Sequence, residues 1–319
     1  MPPHPLLAQA FQLSAAGRNP EAILIVNQLV AQGEPEAMHI LAEMRWRGGM
    51  VAQDPRAGRA LFERASEAGH GPARIIATNL LANGVAGSRD WPAALARLKA
   101  EAKFDPRRKD MLALLGKMAL TPDGDPLRIP EAQPLSASPE VLSFPRLFTA
   151  TECAWLRRLA DPGFGPSTVY NAQRRLVQDP IRTSDGSTLH WQIEDPVVHA
   201  LNRRLAVASG TKADQGEAMQ ILRYKPGQRY HRHLDFVGTP ENQRIKTALV
   251  YLNEDYEGGE TLFVQTGLKV KGRAGDAIVF RNATPDRRSD PMSEHEGLPV
   301  TRGVKYLASR WIRENRWQP

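Results

Sequence analysis

The first hundred residues overlay on themselves when shifted by 36 positions. Gly33 then meets Gly69, Ala37 meets Ala73, Gly48 meets Gly84, Asp54 meets Asp90 and Ala57 meets Ala93. A fixed period of this length marks one small unit used repeatedly, and Ala and Leu at helical spacing, with Gly between the runs, make that unit a helical hairpin. A weaker copy precedes these two, with Ala22 and Ile25 ahead of Gly33. One hairpin has too little apolar surface to fold alone, so residues 1–120 are expected to stack into an α-solenoid, whose inner face suits peptides or protein segments. A plain helical bundle is the alternative, but several repeat positions agree in one register.

The set Ala37, Leu41, Ala42, Gly48, Gly49, Asp54, Pro55 and Ala57 resembles the Sel-one-like relatives of tetratricopeptide repeats over about residues 20–103. Pro122, Pro126, Pro130, Pro134, Pro139 and Pro145 follow. Neither a helix nor a central strand tolerates that density, so 121–140 reads as a linker or an extended crossing segment, and 141–319 as a second domain.

There the texture changes. A helix is expected over 149–160, with Thr149 or Thr151 as its cap and Trp155, Leu156 and Leu159 on its apolar face. Ala218–Tyr224, Thr247–Leu252, Thr261–Val264, Ala277–Phe280 and Lys305–Ile312 then read as strands, rich in β-branched and aromatic residues and separated by Gly-rich turns. Many short strands of this kind form a sandwich or barrel. The fold class is therefore α+β in two domains, helical repeats followed by an antiparallel β structure with supporting helices.

Eight histidines occur in the chain. In HRHLDF, His233 and Asp235 stand two apart, and on a strand such residues share a face and can reach one ion. His231 lacks this carboxylate partner, since its i+2 neighbour is His233. His295, in SEHEGLPV, is the strongest candidate for a third ligand. Two imidazoles and a carboxylate leave coordination positions open, the arrangement of non-haem Fe(II) oxygenases. A His-x-Asp pair alone is more often a solvated pair on an exposed strand.

The frame around these residues is more specific. YKPGQRYHRHLD at 224–235, YLNEDYEGGETLF at 251–263, GDAIVF at 275–280 and HEGLPVTRGVKY at 295–306 occur in one order. Together they resemble the prolyl 4-hydroxylase family of Fe(II)- and 2-oxoglutarate-dependent dioxygenases, over about 141–319. The resemblance implies a double-stranded β-helix, a jelly roll with iron held by His233, Asp235 and His295. It implies that Lys305, ten residues beyond His295, binds the distal carboxylate of 2-oxoglutarate, as a dianion entering an apolar barrel requires a buried cation. Tyr224 matches a tyrosine that bonds the same carboxylate. Thr261 lies on a neighbouring strand toward the cosubstrate, or is an ordinary β-former. Trp311, on the face of Lys305, matches a tryptophan near the peptide site, or is a core residue.

By the same resemblance Tyr230, Arg244 and Arg182 contact the substrate chain. Two departures are small: Leu298 stands where relatives often carry Cys, and Tyr306 replaces a frequent Trp. The implied reaction hydroxylates an unactivated C–H, with a prolyl residue (4-position) of a peptide or protein preferred. It consumes O₂ and 2-oxoglutarate, releases succinate and CO₂, and uses ascorbate to rescue oxidised iron. Rival readings are a hydroxylase of a free amino acid or other small molecule, its mouth closed by the loop 161–180, and a non-catalytic repeat scaffold with a relic barrel. An intact set of ligands and lysine speaks against the scaffold.

Charge narrows the partners. The net +7 is spread over the chain, with 15 basic and 11 acidic residues in 1–120 and 27 and 24 beyond. A diffuse excess of this kind argues against dedicated nucleic-acid binding, including nucleic-acid demethylation. No apolar run approaches a membrane span and no secretory signal leads the chain. A single cysteine, Cys153, fits a reducing compartment, so a cytoplasmic location is the expectation.

Overall fold

The computed structural model describes residues 4–170, 176–237 and 241–317. The chain forms two compact units: the residues up to Leu112 together with Trp191–Pro196, and Ala113–His190 together with the chain from Val197 onward. None of the described helices is long and apolar enough to cross a membrane.

The first unit is a run of helical hairpins. Its helices are α1 (Pro5–Ala15), α2 (Asn19–Ala31), α3 (Pro35–Arg47), α4 (Pro55–Glu67), α5 (Gly71–Asn83) and α6 (Trp91–Glu101), followed by α7 (Pro106–Leu115). Each of α1–α6 has a proline in its first two positions, where the missing N–H is unneeded and the fixed φ favours the helix. The 36-residue period is reproduced in the hydrogen bonds. Asp54 and Asp90 cap α4 and α6 by accepting from the N–H groups of Ala57 and Ala93 at 3.0 and 2.9 Å. Gly48 and Gly84 end α3 and α5 with φ of 74° and 72°. A side chain at Gly84 would also strike Arg89, so the turn requires glycine twice over. At Gly58 a Cβ would lie 3.0 Å from the Ala42 carbonyl, which is how α3 and α4 approach so closely. Phe62, Trp46, Leu80 and the small Ala37, Ala42, Ala65 and Ala73 fill the core. Phe62 is fully buried, and Phe62→Ala is expected to cost about 3–5 kcal/mol.

The second unit is an antiparallel jelly roll of two main sheets, together with two short two-stranded ladders. The larger sheet has eight strands in the order Gln133–Ala137, Glu140–Phe144, Ala277–Arg281, Arg244–Tyr251, Lys305–Arg313, Met219–Tyr224, Asp185–Leu189 and Gly165–Pro166. The smaller sheet runs Leu268–Val270, Thr261–Phe263, His295–Gly297 and Tyr230–His233. Tyr251, Phe263, Phe280, Leu222 and Leu307 form its apolar centre. The expected helix is Ala150–Ala160, capped by Thr149 in a reciprocal box with Glu152. A buried ion pair from Glu152 to Arg204 (2.8 Å) ties it to the helix Pro196–Ser209.

The proline-dense segment read as a linker over 121–140 contains the strand Gln133–Ala137, which pairs with Glu140–Phe144 at the edge of the larger sheet. An edge strand leaves one row of N–H groups unpaired, so Pro134 costs the ladder nothing there. Cys153 is buried, and burial first, with Glu152 beside it, pushes its thiol up to about 12, so it is not a reactive thiolate at neutral pH.

Candidate active site

The smaller sheet and the bend that follows its Tyr230–His233 strand bring His233, Asp235 and His295 together. His295 is paired directly opposite His233 across adjacent strands. The strand ends at His233, and Asp235 sits in a bend two residues on, so the shared-face reasoning from strand alternation does not apply. Backbone turning after Leu234 does the work instead. His233 Nε2 lies 3.7 Å from Asp235 Oδ1, and His295 Nε2 lies 3.7 Å from Asp235 Oδ2. One ligand atom from each residue falls within 4.8 Å of the others.

The donor set fits a divalent metal. His233 Nδ1 bonds the His231 carbonyl at 2.7 Å, and His295 Nδ1 bonds the Ser293 carbonyl at 2.9 Å. A carbonyl only accepts, so each Nδ1 carries the proton and each Nε2 lone pair faces the carboxylate. Burial, and then the neighbouring His295, hold His233 below the usual imidazole range, in the neutral form that ligates metal. Burial alone would raise Asp235. The nearby imidazoles, Arg244 and a Thr247 hydrogen bond outweigh it and keep the carboxylate ionised.

Thr247 was not foreseen. Its hydroxyl donates to Asp235 Oδ2 at 2.7 Å and accepts from Asn282 Nδ2 at 2.9 Å, and both residues are fully buried. Asp235 is thus held by a two-step relay that fixes one oxygen and leaves Oδ1 without that constraint. Tyr230 stacks on the other side of His233, with ring centroids 3.5 Å apart at 16°. Phe280 meets His295 edge-on at 4.8 Å.

Lys305 stands directly opposite Tyr224 in the larger sheet, so both point to one face. The lysine is 2% exposed, and burial pushes it down to about 8. Among the described residues its ammonium donates to the Gly259 carbonyl at 2.7 Å and has no carboxylate within ion-pair distance. A Cβ on Gly259 would sit 3.2 Å from Lys305 Cδ and Gly259 has φ of +69°, so the EGGE turn needs its second glycine to receive the lysine. A buried cation so poorly compensated suits an anionic ligand. Thr261 is buried nearby, its hydroxyl 3.3 Å from that of Tyr251.

One cavity takes in nearly all of these groups. Arg182, Tyr224, Tyr230, His233, Asp235, Thr261, His295, Lys305 and Trp311 line it, with Leu222, Leu249 and Leu307 supplying its apolar wall. Tyr224, Thr261 and Lys305 are buried, while Tyr230, His233 and Trp311 are half-buried and mark the open end. Among the described residues two buried donors on lining residues lack partners, Arg182 Nε and Trp311 Nε1. Arg182 lies over the Tyr230 ring at 4.9 Å and bonds Gln220 at 2.8 Å.

Arg244 is absent from that wall. Its guanidinium is buried against Glu217 at 2.6 and 2.8 Å and packs on the Trp311 ring at 4.1 Å. It therefore supports Trp311, and direct contact with a ligand is not its position in this structure. Glu217, which also holds Arg313 at 2.6 Å, had no sequence signal. The loop 161–180 includes residues 171–175, which lie outside the described residues.

Comparisons with known proteins agree with this chemistry. The profile of the 2OG-Fe(II) oxygenase superfamily matches residues 219–313. Over 214 residues the chain is 35% identical to prolyl 4-hydroxylase 1 of Arabidopsis thaliana, a match covering 60% of this chain and 76% of that relative. The crystal structure of the viral collagen prolyl hydroxylase of Paramecium Bursaria Chlorella virus-1 with 2OG is 29% identical, covers 54% of this chain and 95% of that one, and has a TM-score of 0.45. A Sel1 repeat protein from Oxalobacter formigenes is 24% identical over 34% of this chain and 87% of its own, with a TM-score of 0.29. With 35% identity spanning three quarters of a prolyl 4-hydroxylase, the chain belongs to the prolyl 4-hydroxylase family of Fe(II)- and 2-oxoglutarate-dependent dioxygenases.

Proposed function

We propose that this dioxygenase hydroxylates a prolyl residue, at the 4-position, in a peptide or protein. The observation that carries the reading is one strand face. Lys305, Leu307, Ser309 and Trp311 line the cavity from its buried end to its open one, so a clamp for a small dianion and a site for an extended chain flank the same three metal ligands. The named activity of the Arabidopsis relative supports the choice of proline.

In this reading His233, Asp235 and His295 hold Fe(II), and Lys305 with Tyr224 binds the distal carboxylate of 2-oxoglutarate, with Thr261 beside it. The chemistry supplied by bound Fe(II) is oxidative: C–H becomes C–OH while O₂ and 2-oxoglutarate go to succinate and CO₂. The protein's own part is positioning. Thr247 and Asn282 orient the Asp235 carboxylate, the leucines keep water from the cosubstrate, and Tyr230, Arg182 and Trp311 receive the peptide. Arg244 acts through Trp311. Ascorbate belongs to the proposal as the reductant that restores iron after uncoupled turnover. So does the division of labour between helical repeats at 1–120 and catalysis at 141–319.

Succinate release by the Fe(II)-loaded protein, with and without proline-containing peptides, tests this. Peptide-stimulated succinate is expected, with one added oxygen on proline and no turnover in His233→Ala. Stimulation by a free amino acid and by no peptide would move the substrate to the small-molecule class.

A further inference from the structure

We infer that the face formed by α3 and α5 is a peptide-binding groove, and that its occupant is the chain's own segment Trp191–Pro196. That segment belongs to the helical unit. Asn79 Nδ2 donates to the Gln192 carbonyl at 2.8 Å, and Asn83 Nδ2, one turn later, donates to the Trp191 carbonyl at 2.9 Å. From α3, Glu43 accepts from Gln192 Nε2 at 3.0 Å. Trp191 packs against the apolar core of the hairpins, and Gln192, Glu194 and Asp195 are all at most 5% exposed.

Two features separate this from incidental packing. Glu43 and Asn79 are 36 residues apart, so equivalent positions of successive repeats hold one residue of the turn Trp191–Ile193, Gln192, by its side-chain amide and its carbonyl. Both asparagines are also oriented in advance. Asn79 Oδ1 accepts from Arg108 Nη1 at 3.3 Å, and Asn83 Oδ1 accepts from the Val85 N–H at 2.9 Å, which leaves each Nδ2 to face a backbone carbonyl. The other Glu43 oxygen forms an ion pair with the exposed Arg47 at 2.9 Å. Backbone carbonyls, a tryptophan and a glutamine are thus the chemistry this groove recognises. On this stretch of the repeats the ligand is internal, in place of a substrate.

The test uses the full chain and a fluorescently labelled peptide of the sequence His190–Pro196 in anisotropy titrations. Trp191→Ala releases the internal segment, so this variant is expected to bind the peptide at least about tenfold more tightly than the parent protein, the worth of one well-made contact. Equal binding by both, or binding by neither, overturns the proposal. Adding Asn83→Asp to Trp191→Ala sets a carboxylate against the Trp191 carbonyl and is expected to abolish binding; retention overturns the assignment of the groove. Should Trp191→Ala lose its helical circular dichroism, Gln192→Ala removes only the bond to Glu43. Chymotryptic cleavage after Trp191 should then accelerate about tenfold, and an unchanged rate overturns the clasp.

Discussion

Around Asp235 each metal-site side chain is held by another group of the protein, whereas six residues along the strand from Lys305 the Trp311 indole N–H is buried with no partner among the described residues. The buried end is fixed: Thr247 on Asp235, carbonyls on both imidazoles, the Gly259 carbonyl on Lys305. Elsewhere on the wall two buried donors, Trp311 Nε1 and Arg182 Nε, have no partner among the described residues and sit on groups that are themselves braced by Arg244 and Tyr230. Under the proposed function, a cavity built this way is expected to receive an invariant small molecule at one end and a variable one at the other. Orphan donors are costly unless something accepts from them, so under the proposed function these two are where the carbonyls of a peptide substrate are expected to bind.

The largest break is at the metal. Asp235→Ala should lower turnover by at least about a thousandfold, several kcal/mol of lost stabilisation, and abolish stoichiometric Fe(II) uptake in an anaerobic titration. Next is the cosubstrate clamp. Lys305→Ala should raise the KM for 2-oxoglutarate by about a hundredfold, measured with peptide saturating, as expected for an unpaired buried carboxylate.

The same lysine gives a pH signature. Burial depresses it to about 8, below its ordinary 10.5, so the unfolded chain binds more protons across that interval. The stability contribution from this group is therefore fully present above 10.5 and lost as pH falls through about 8. Affinity for 2-oxoglutarate runs the other way, because the ammonium is the binding form. Without added peptide, the cosubstrate Kd should weaken by about tenfold per unit above pH 8, and Lys305→Arg should remove that dependence.

Thr247→Val keeps shape and deletes the hydroxyl. It should weaken Fe(II) or Co(II) binding by about 10- to 100-fold, and shift the Co(II) absorption bands as Asp235 reorients. Trp311→Phe keeps an aromatic ring but deletes the N–H together with the five-membered ring that carries it. It should raise the peptide KM by about three- to tenfold, with a much smaller change in the KM for 2-oxoglutarate, and equal changes in both would erase the contrast between the two ends.

Both halves of the fold were legible, for different reasons. The helical part is periodic, and Asp54, Asp90, Gly48 and Gly84 occupy the very caps that the 36-residue shift selects. The central strands were legible from β-branched runs, but Gln133–Ala137 was concealed by prolines that only an edge tolerates. At the site, His233, Asp235, His295 and Lys305 carried motif-scale signals. Thr247 and Asn282 had none, since the strands that juxtapose them are far apart in the chain, and no local spacing relates a threonine in ALVY's strand to an asparagine 35 residues away. For Arg244 the sequence identifies the residue's kind and not the partner that holds its guanidinium, here Glu217.

The alternation of the strand Lys305–Arg313 has an evolutionary corollary. Lys305, Leu307, Ser309 and Trp311 face the cavity together because every second residue does. Inserting one residue after Lys305 would turn everything downstream to the opposite face and remove Leu307, Ser309 and Trp311 in a single event. Inserting two would displace that wall along the strand while keeping its facing. Lineages of this enzyme are therefore expected to change the size of their substrate site in paired steps along this strand, and to change its chemistry by substitution alone.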